Sequence, residues 1–363
     1  MIPFWFILIT ILWIGFFVLE GFDFGVGMLH SAVGRDDTGR RAAISTIGPL
    51  WDGNEVWLIV AAAAIFAAFP GWYATMFSAF YLAVVLLLAA LIVRGVSFEY
   101  RGKRDAPRWR RTWDSLMTLG SLLAPFLIGV TLGDLLYGLP INASQQYTGS
   151  FWGLLQPFGV VTGIAFVSIC LLHGATFLAL KTTGDLRDRA RWLARVFAPA
   201  TGLIVVIWIS WTHVIAGHGT LLNPIELATW IAAIAAVWLV FSRAGGWAFA
   251  ATTVTMAVSV LAIFVDLYPR VMVSSTSSAF SLTVHNTASG HYSLTVMTVV
   301  AVVLLPFVLA YQSWTYYVFR RRVGRQDFTG RSPAATARSS PAWNDGRNTG
   351  EGSAEPRTDT QRS

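Results

Sequence analysis

Ala74-Thr-Met-Phe-Ser-Ala-Phe-Tyr-Leu-Ala-Val-Val-Leu-Leu-Leu-Ala-Ala-Leu-Ile-Val93 is a run without one charged side chain. At ~1.5 Å rise per residue, roughly 20 helical residues cross the ~30 Å hydrocarbon layer of a bilayer. Lipid offers no partner for backbone amides and carbonyls, so a run of this length is read as a spanning helix. Working outward, further apolar runs stand at approximately 4–30, 44–69, 115–135, 153–180, 196–216, 227–242, 246–266 and 292–319, with the third run at 74–94. The whole chain agrees: 55% of its 363 residues are hydrophobic and 12% are charged, where soluble domains are nearer about 25% charged. The fold class expected is an all-α membrane protein of about nine transmembrane helices.

The basic residues orient these spans. Arg35, Arg40 and Arg41 follow the first span, and Arg94, Arg101, Lys103, Arg104, Arg108, Arg110 and Arg111 follow the third. Lys181, Arg187, Arg189, Arg191 and Arg195 follow the fifth, Arg243 follows the seventh, and the remainder lie from Arg320 onward. Of the 26 basic residues only Arg270 falls in a loop on the opposite side. Under the positive-inside rule the chain lies N-out/C-in. The pI near 9.8 therefore reflects short membrane-flanking loops and not a nucleic-acid surface. The first twenty residues carry no basic n-region and read as a retained helix. Residues 326–363, rich in Ser, Thr, Gly, Pro, Arg and Asp, read as a disordered cytoplasmic tail.

Four acids fall inside the first two spans: Glu20 and Asp23, then Asp52 and Glu55. Each pair is spaced i, i+3 and so shares a helical face. A charge at mid-bilayer costs roughly 2.5–3.5 kcal/mol on insertion scales, so such groups need a partner, a metal, water or a proton route. With Arg94 read as a loop residue, no Lys or Arg stands at their depth. Three readings follow: a proton path open to the cytoplasm, buried structural hydrogen bonding helped by Asn54, or a metal site. The last is disfavoured because no histidine accompanies the acids at ligand spacing. Trp57 lies on the acid-bearing second helix.

His173 lies mid-span and reads as a histidine bonded to a backbone carbonyl. His30 reads as a capping or interface residue, and His213, His218, His285 and His291 fall at or near the outer side. No pair faces another predictably, so no haem site is proposed. Cys170, the sole cysteine, excludes an internal disulfide, a Cys-x-x-Cys pair and a Cys-based zinc or haem attachment motif.

The runs Glu20-Gly-Phe-Asp-Phe-Gly-Val-Gly-Met-Leu29 and Gly48-Pro-Leu-Trp-Asp-Gly-Asn-Glu-Val-Trp-Leu58 resemble subunit II of cytochrome bd-type quinol oxidases. Arg94-Gly-Val-Ser-Phe-Glu-Tyr-Arg101, Gln156-Pro-Phe-Gly159, His173-Gly-Ala-Thr-Phe177, Ser274-Ser-Thr276, Ser281-Leu-Thr-Val284 and Thr287-Ala-Ser289 extend the likeness over about residues 10–322. One departure stands at His285-Asn286, where the family often has Trp-Asp. The resemblance implies two four-helix bundles plus one peripheral helix. This divides the chain into a first bundle with the buried acids (1–136), an outer loop, peripheral helix 5 and cytoplasmic loop (137–195), a second bundle (196–325) and the tail (326–363).

It also implies a haem-bearing partner, subunit I, holding two b haems, one d haem and the quinol site, while subunit II binds no haem. Some members hold a structural quinone in this subunit, and small accessory subunits are a further expectation. The complex oxidises quinol and reduces O2 to water in the bacterial plasma membrane, with lipid around it. Asp52 then matches the family's proton-path acid, Glu20 and Asp23 match acids of its first helix, Glu55 shares the face of Asp52, and Trp57 matches a tryptophan associated with the oxygen route. The rival readings are a self-sufficient proton-coupled secondary transporter and a scaffold whose acids are structural.

Overall fold

The computed structural model describes residues 1–217, 223–242 and 244–329. Of the features read above, His218, Arg243 and the tail from residue 330 lie outside the described residues. Among these residues, nine helices are long and apolar enough to cross a membrane. In chain order the helices are α1 (Ile2–Val33), the short α2 (Asp37–Ser45), α3 (Trp51–Ala68), α4 (Pro70–Ala79), α5 (Tyr81–Tyr100), α6 (Pro107–Tyr137), α7 (Pro157–Lys181), α8 (Gly184–Ala216), α9 (Pro224–Phe241), α10 (Gly245–Leu267), α11 (His291–Val318) and the single turn α12 (Gln326–Thr329).

Local chemistry sets the ends. Pro70, Pro107, Pro157 and Pro224 begin α4, α6, α7 and α9, where the missing amide hydrogen costs nothing. Asn223 and Glu226 form a reciprocal capping box on α9, and the Asp36 side chain accepts from Gly39 N to start α2. Two boundaries differ from the sequence reading. The second apolar run resolves into α2, a turn and α3, because residues 46–50 leave the helix around Gly48-Pro49. The charge-free run breaks at Phe80, so the third span is α5 and extends past Arg94.

Two sets of four helices emerge from the packing. In one, α1 packs on α3 and α6, and α6 packs on α5. In the other, α7, α8, α9 and α10 close a ring in which each touches the next. The sets join where α1 and α6 meet α7. At that crossing a Cβ on Gly25 would lie 2.0 Å from Cys170 O, and one on Gly174 would lie 2.4 Å from Gly25 C. Only backbone fits there, the small-residue packing typical of membrane helices.

The fifth spanning helix is therefore not peripheral, as the resemblance had suggested. It is α7, with 78% of its most apolar stretch buried, while the peripheral helix is the ninth, α11, at 6%. On the side opposite the arginine-rich loops, β1 (Arg270–Met272) and β2 (Leu282–Thr283) pair antiparallel. Asn286 closes this loop, accepting from Thr283 N at 2.7 Å and donating to Ser281 O at 3.1 Å. A carboxylate could make the first of these bonds, so the departure at this position keeps the turn.

Candidate functional site: a buried acid cluster beside a lateral cleft

Glu20 and Asp23 project from α1 into the first set of helices and are fully buried. Their partner comes from α5. Arg94, also fully buried, brings Nη1 to 2.5 Å from Glu20 Oε1 and 3.7 Å from Glu55 Oε2. Its guanidinium lies 4.8 Å from the Phe24 ring centroid and 5.5 Å from that of Phe98, two cation–π contacts in a desolvated setting. This corrects the sequence reading on two points: Arg94 is no loop residue, and the acids do have a cation at their depth. One guanidinium faces three carboxyls, so the cluster can hold protons as well as an ion pair.

Asp23 has a different neighbour. Asn54 donates from Nδ2 to Asp23 Oδ2 (2.7 Å) and to Leu19 O (3.2 Å). On its other side, Asn54 Oδ1 accepts from Gln312 Nε2 (2.8 Å) and the Tyr316 hydroxyl (2.9 Å), both on α11.

Asp52 and Glu55 share a face of α3, and that face lines a cleft of about 840 Å³. The cleft lies between α3 and α5, its wall made of apolar side chains such as Trp13, Ile59, Phe66, Trp72 and Ile92. Ile59, Phe66 and Ile92 are exposed, so it opens on the lateral surface of the chain. Asp52 is exposed and Glu55 half-buried. The structure thus splits the four acids: two face the cleft, and two are sealed behind Arg94 and do not line it. Trp57, about one and a half turns past Asp52, packs on α1 so closely that a Cβ on Gly15 would fall 2.5 Å from its indole.

Neither buried histidine fits an axial haem ligand. His173 holds Thr252 Oγ1 at 2.8 Å and Val18 O at 3.2 Å and stacks on Phe249. His30 holds Gly27 O at 2.7 Å and Asp114 Oδ1 at 3.3 Å. The backbone-bonded reading of His173 is what the geometry has. Among the described residues no three His, Cys, Asp or Glu side chains stand together as a metal site.

Sequence reasoning missed four further buried acids, Asp114 and Asp134 in α6, Glu226 in α9 and Asp266 in α10. Asp114 gathers Arg101 (2.6 Å), Arg40 (3.0 Å) and His30 at the arginine-rich end. Asp134, near the other end, has no hydrogen-bond partner on either oxygen among the described residues. For Asp134 the signal was an acid inside an apolar run, the same that found Glu20, whereas Asp114 stands just before its run beside the arginines.

Comparison with known proteins gives a consistent result. The family model described as cytochrome bd terminal oxidase subunit II matches residues 1–319. The chain is 43% identical to cytochrome bd ubiquinol oxidase subunit 2 of Bacillus subtilis (strain 168), over 89% of this chain and 97% of that protein. It is 39% identical to cytochrome bd-I ubiquinol oxidase subunit 2 of Escherichia coli (strain K12), over 89% and 95%. The fold is similar to a chain of the bd oxidase from Geobacillus thermodenitrificans, with a TM-score of 0.64 at 17% identity, covering 85% of this chain and 97% of that one. This chain belongs to the family of cytochrome bd terminal oxidase subunit II.

Proposed function

We propose that this multi-pass subunit of a bacterial bd-type quinol oxidase supplies part of the path by which cytoplasmic protons reach the oxygen-reducing centre. That centre lies in the partner, subunit I, which in this family carries two b haems, one d haem and the quinol site. The electron-transfer chemistry is then the partner's, and this chain contributes positioning and proton delivery. Its lateral cleft, largely apolar with Asp52, Glu55, Thr131 and Tyr73 among its lining, has room for the isoprenoid tail of a structural quinone or for a lipid chain.

The observation that carries the reading is the arrangement Asp52, Glu55, Arg94, Glu20, Asp23. Protons come in at exposed Asp52, pass to half-buried Glu55, and reach Glu20 and Asp23 across the face that Arg94 occupies. Arg94 stays charged and fixes the geometry, while the carboxyls carry the protons. The positive-inside count places this side of the cluster toward the cytoplasm. Glu20 and Asp23 are fully buried, so in this reading water reaches only as far as Glu55 and the last transfer runs between side chains.

The scaffold reading draws on a specific observation too, since Glu20 and Asp23 both have buried partners. Replacing Asp52 with Asn separates the two. An assembled complex that retains its haems but loses quinol oxidation supports delivery. Loss of haem or of assembly supports the scaffold, because Asp52 is exposed on this chain and has no packing role within it.

A further inference from the structure

Asn54 is held from both sides. Leu19 O is a backbone carbonyl and can only accept, so the amide must turn Nδ2 toward it and toward Asp23. Its Oδ1 then faces α11, where Gln312 and Tyr316 both donate to it. All four hydrogen-bonding places of the amide are used. α11 is otherwise the least buried spanning helix, yet two side chains one turn apart on it converge on a single oxygen.

The consequence falls on Asp23. Its Oδ2 is capped by a donor, while its Oδ1 is buried with no donor bonded to it among the described residues, and the Glu20 carboxyl is within hydrogen-bonding reach of the Asp23 carboxyl. A proton on the carboxyl therefore sits on Oδ1. A carboxyl passes a proton by exchanging its two oxygens. An amide can do so only through an unfavourable imidic-acid form, so Asn54 conducts nothing onward to Tyr316. The titratable and charged groups acting on Asp23 are Glu20 on α1, Glu55 on α3 and Arg94 on α5, with Tyr316 beyond the amide.

Resting on the proton-path reading, we propose that Gln312 and Tyr316 are positioning residues. They lock Asn54 so that Asp23 carries its proton on Oδ1 and the path is closed toward α11. This gives α11 a part in the path through its hydrogen bonds to Asn54.

The test uses the assembled oxidase carrying Tyr316→Phe, Gln312→Leu or both. Infrared difference spectra follow the Asp23 carboxyl band, assigned by its disappearance in Asp23→Asn, alongside haem content and the pH profile of quinol oxidation. The double variant is expected to keep its haems, shift the Asp23 band, move the pH profile and slow turnover roughly three- to tenfold, the scale of one or two hydrogen bonds. Tyr316→Phe alone, which removes one hydroxyl, shows the smaller change in the same direction and carries the test if the double variant fails to assemble. An unmoved band and pH profile, with only a lowered melting temperature, overturns the proposal. Failure of the path reading looks different: Asp23→Asn would then turn over and take up protons normally, whatever the band does in the α11 variants.

Discussion

Arg94 decides the chemistry of the cluster. Taking a guanidinium and a carboxylate out of water is costly, and their attraction repays this only with close geometry and further polar contacts. Here the geometry is close, at 2.5 Å from Glu20, and two phenyl rings replace part of the lost hydration. Removing one member of such a pair leaves the other buried and uncompensated, a cost of roughly 3–5 kcal/mol. Arg94→Met is accordingly predicted to lower the stability of the purified complex by about that amount. Adding Glu20→Gln to it is predicted to restore part of the loss, because the carboxyl nearest the missing guanidinium is then gone as well, while Glu55 and Asp23 remain and can hold protons. Thermal unfolding of the two variants decides the matter, and equal melting temperatures would show that the pair carries no such weight.

At the scale of the helices, the α1–α7 crossing and the segment after α11 are two of the joints in the architecture. Gly25→Ala would drive a methyl into the backbone of α7, and overpacking of this kind costs about 1–3 kcal/mol or more. The variant is predicted to assemble poorly or melt early, whereas Gly102→Ala, with open space around its Cβ, is expected to behave as the parent protein. Differential scanning fluorimetry of the pair tests this. Past α11, Arg325 bridges Asp36 (2.5 Å) and Asp185 (3.0 Å), fastening the chain across the start of α2 and α8. The Arg325 guanidinium holds the Asp36 carboxyl below its ordinary value. A depressed carboxyl stabilises the folded state fully above its ordinary pKa of about 3.9 and loses that contribution as pH falls through the lower folded value. Hydrogen exchange in residues 322–328 should therefore be flat with respect to this latch from about pH 8 to pH 5 and quicken only in stronger acid. Release near neutrality would contradict it, and because the pair is exposed, salt should weaken it.

Taken as a whole, the molecule was legible in its spans and opaque in its partnerships. The charge-free run 74–93 announced a membrane helix because lipid leaves the backbone no other choice, and Glu20, Asp23, Asp52 and Glu55 announced themselves as acids where acids are expensive. Arg94 was not legible: following Val93 directly, it read as the first residue of a basic loop, and only the extension of α5 through Tyr100 brings it to Glu20 and Glu55. The demand for a cation near three acids was the one clue. Nor could hydropathy tell the central α7 from the peripheral α11, since both are apolar all round. The Gly25–Gly174 approach is what separates them. Asp52 and Glu55 on the cleft and Glu20 and Asp23 behind Arg94 are, in this account, one route from the arginine-rich side. The direct measurement is proton uptake by the assembled oxidase in liposomes, with a pH dye confined to that side and haem content matched between variants. During oxygen reduction the parent complex should turn that side alkaline, and Glu20→Gln should slow the signal roughly a hundredfold, the lower range for loss of a proton-transfer group. Uptake from the opposite side, or an unchanged rate in Glu20→Gln, would contradict the account.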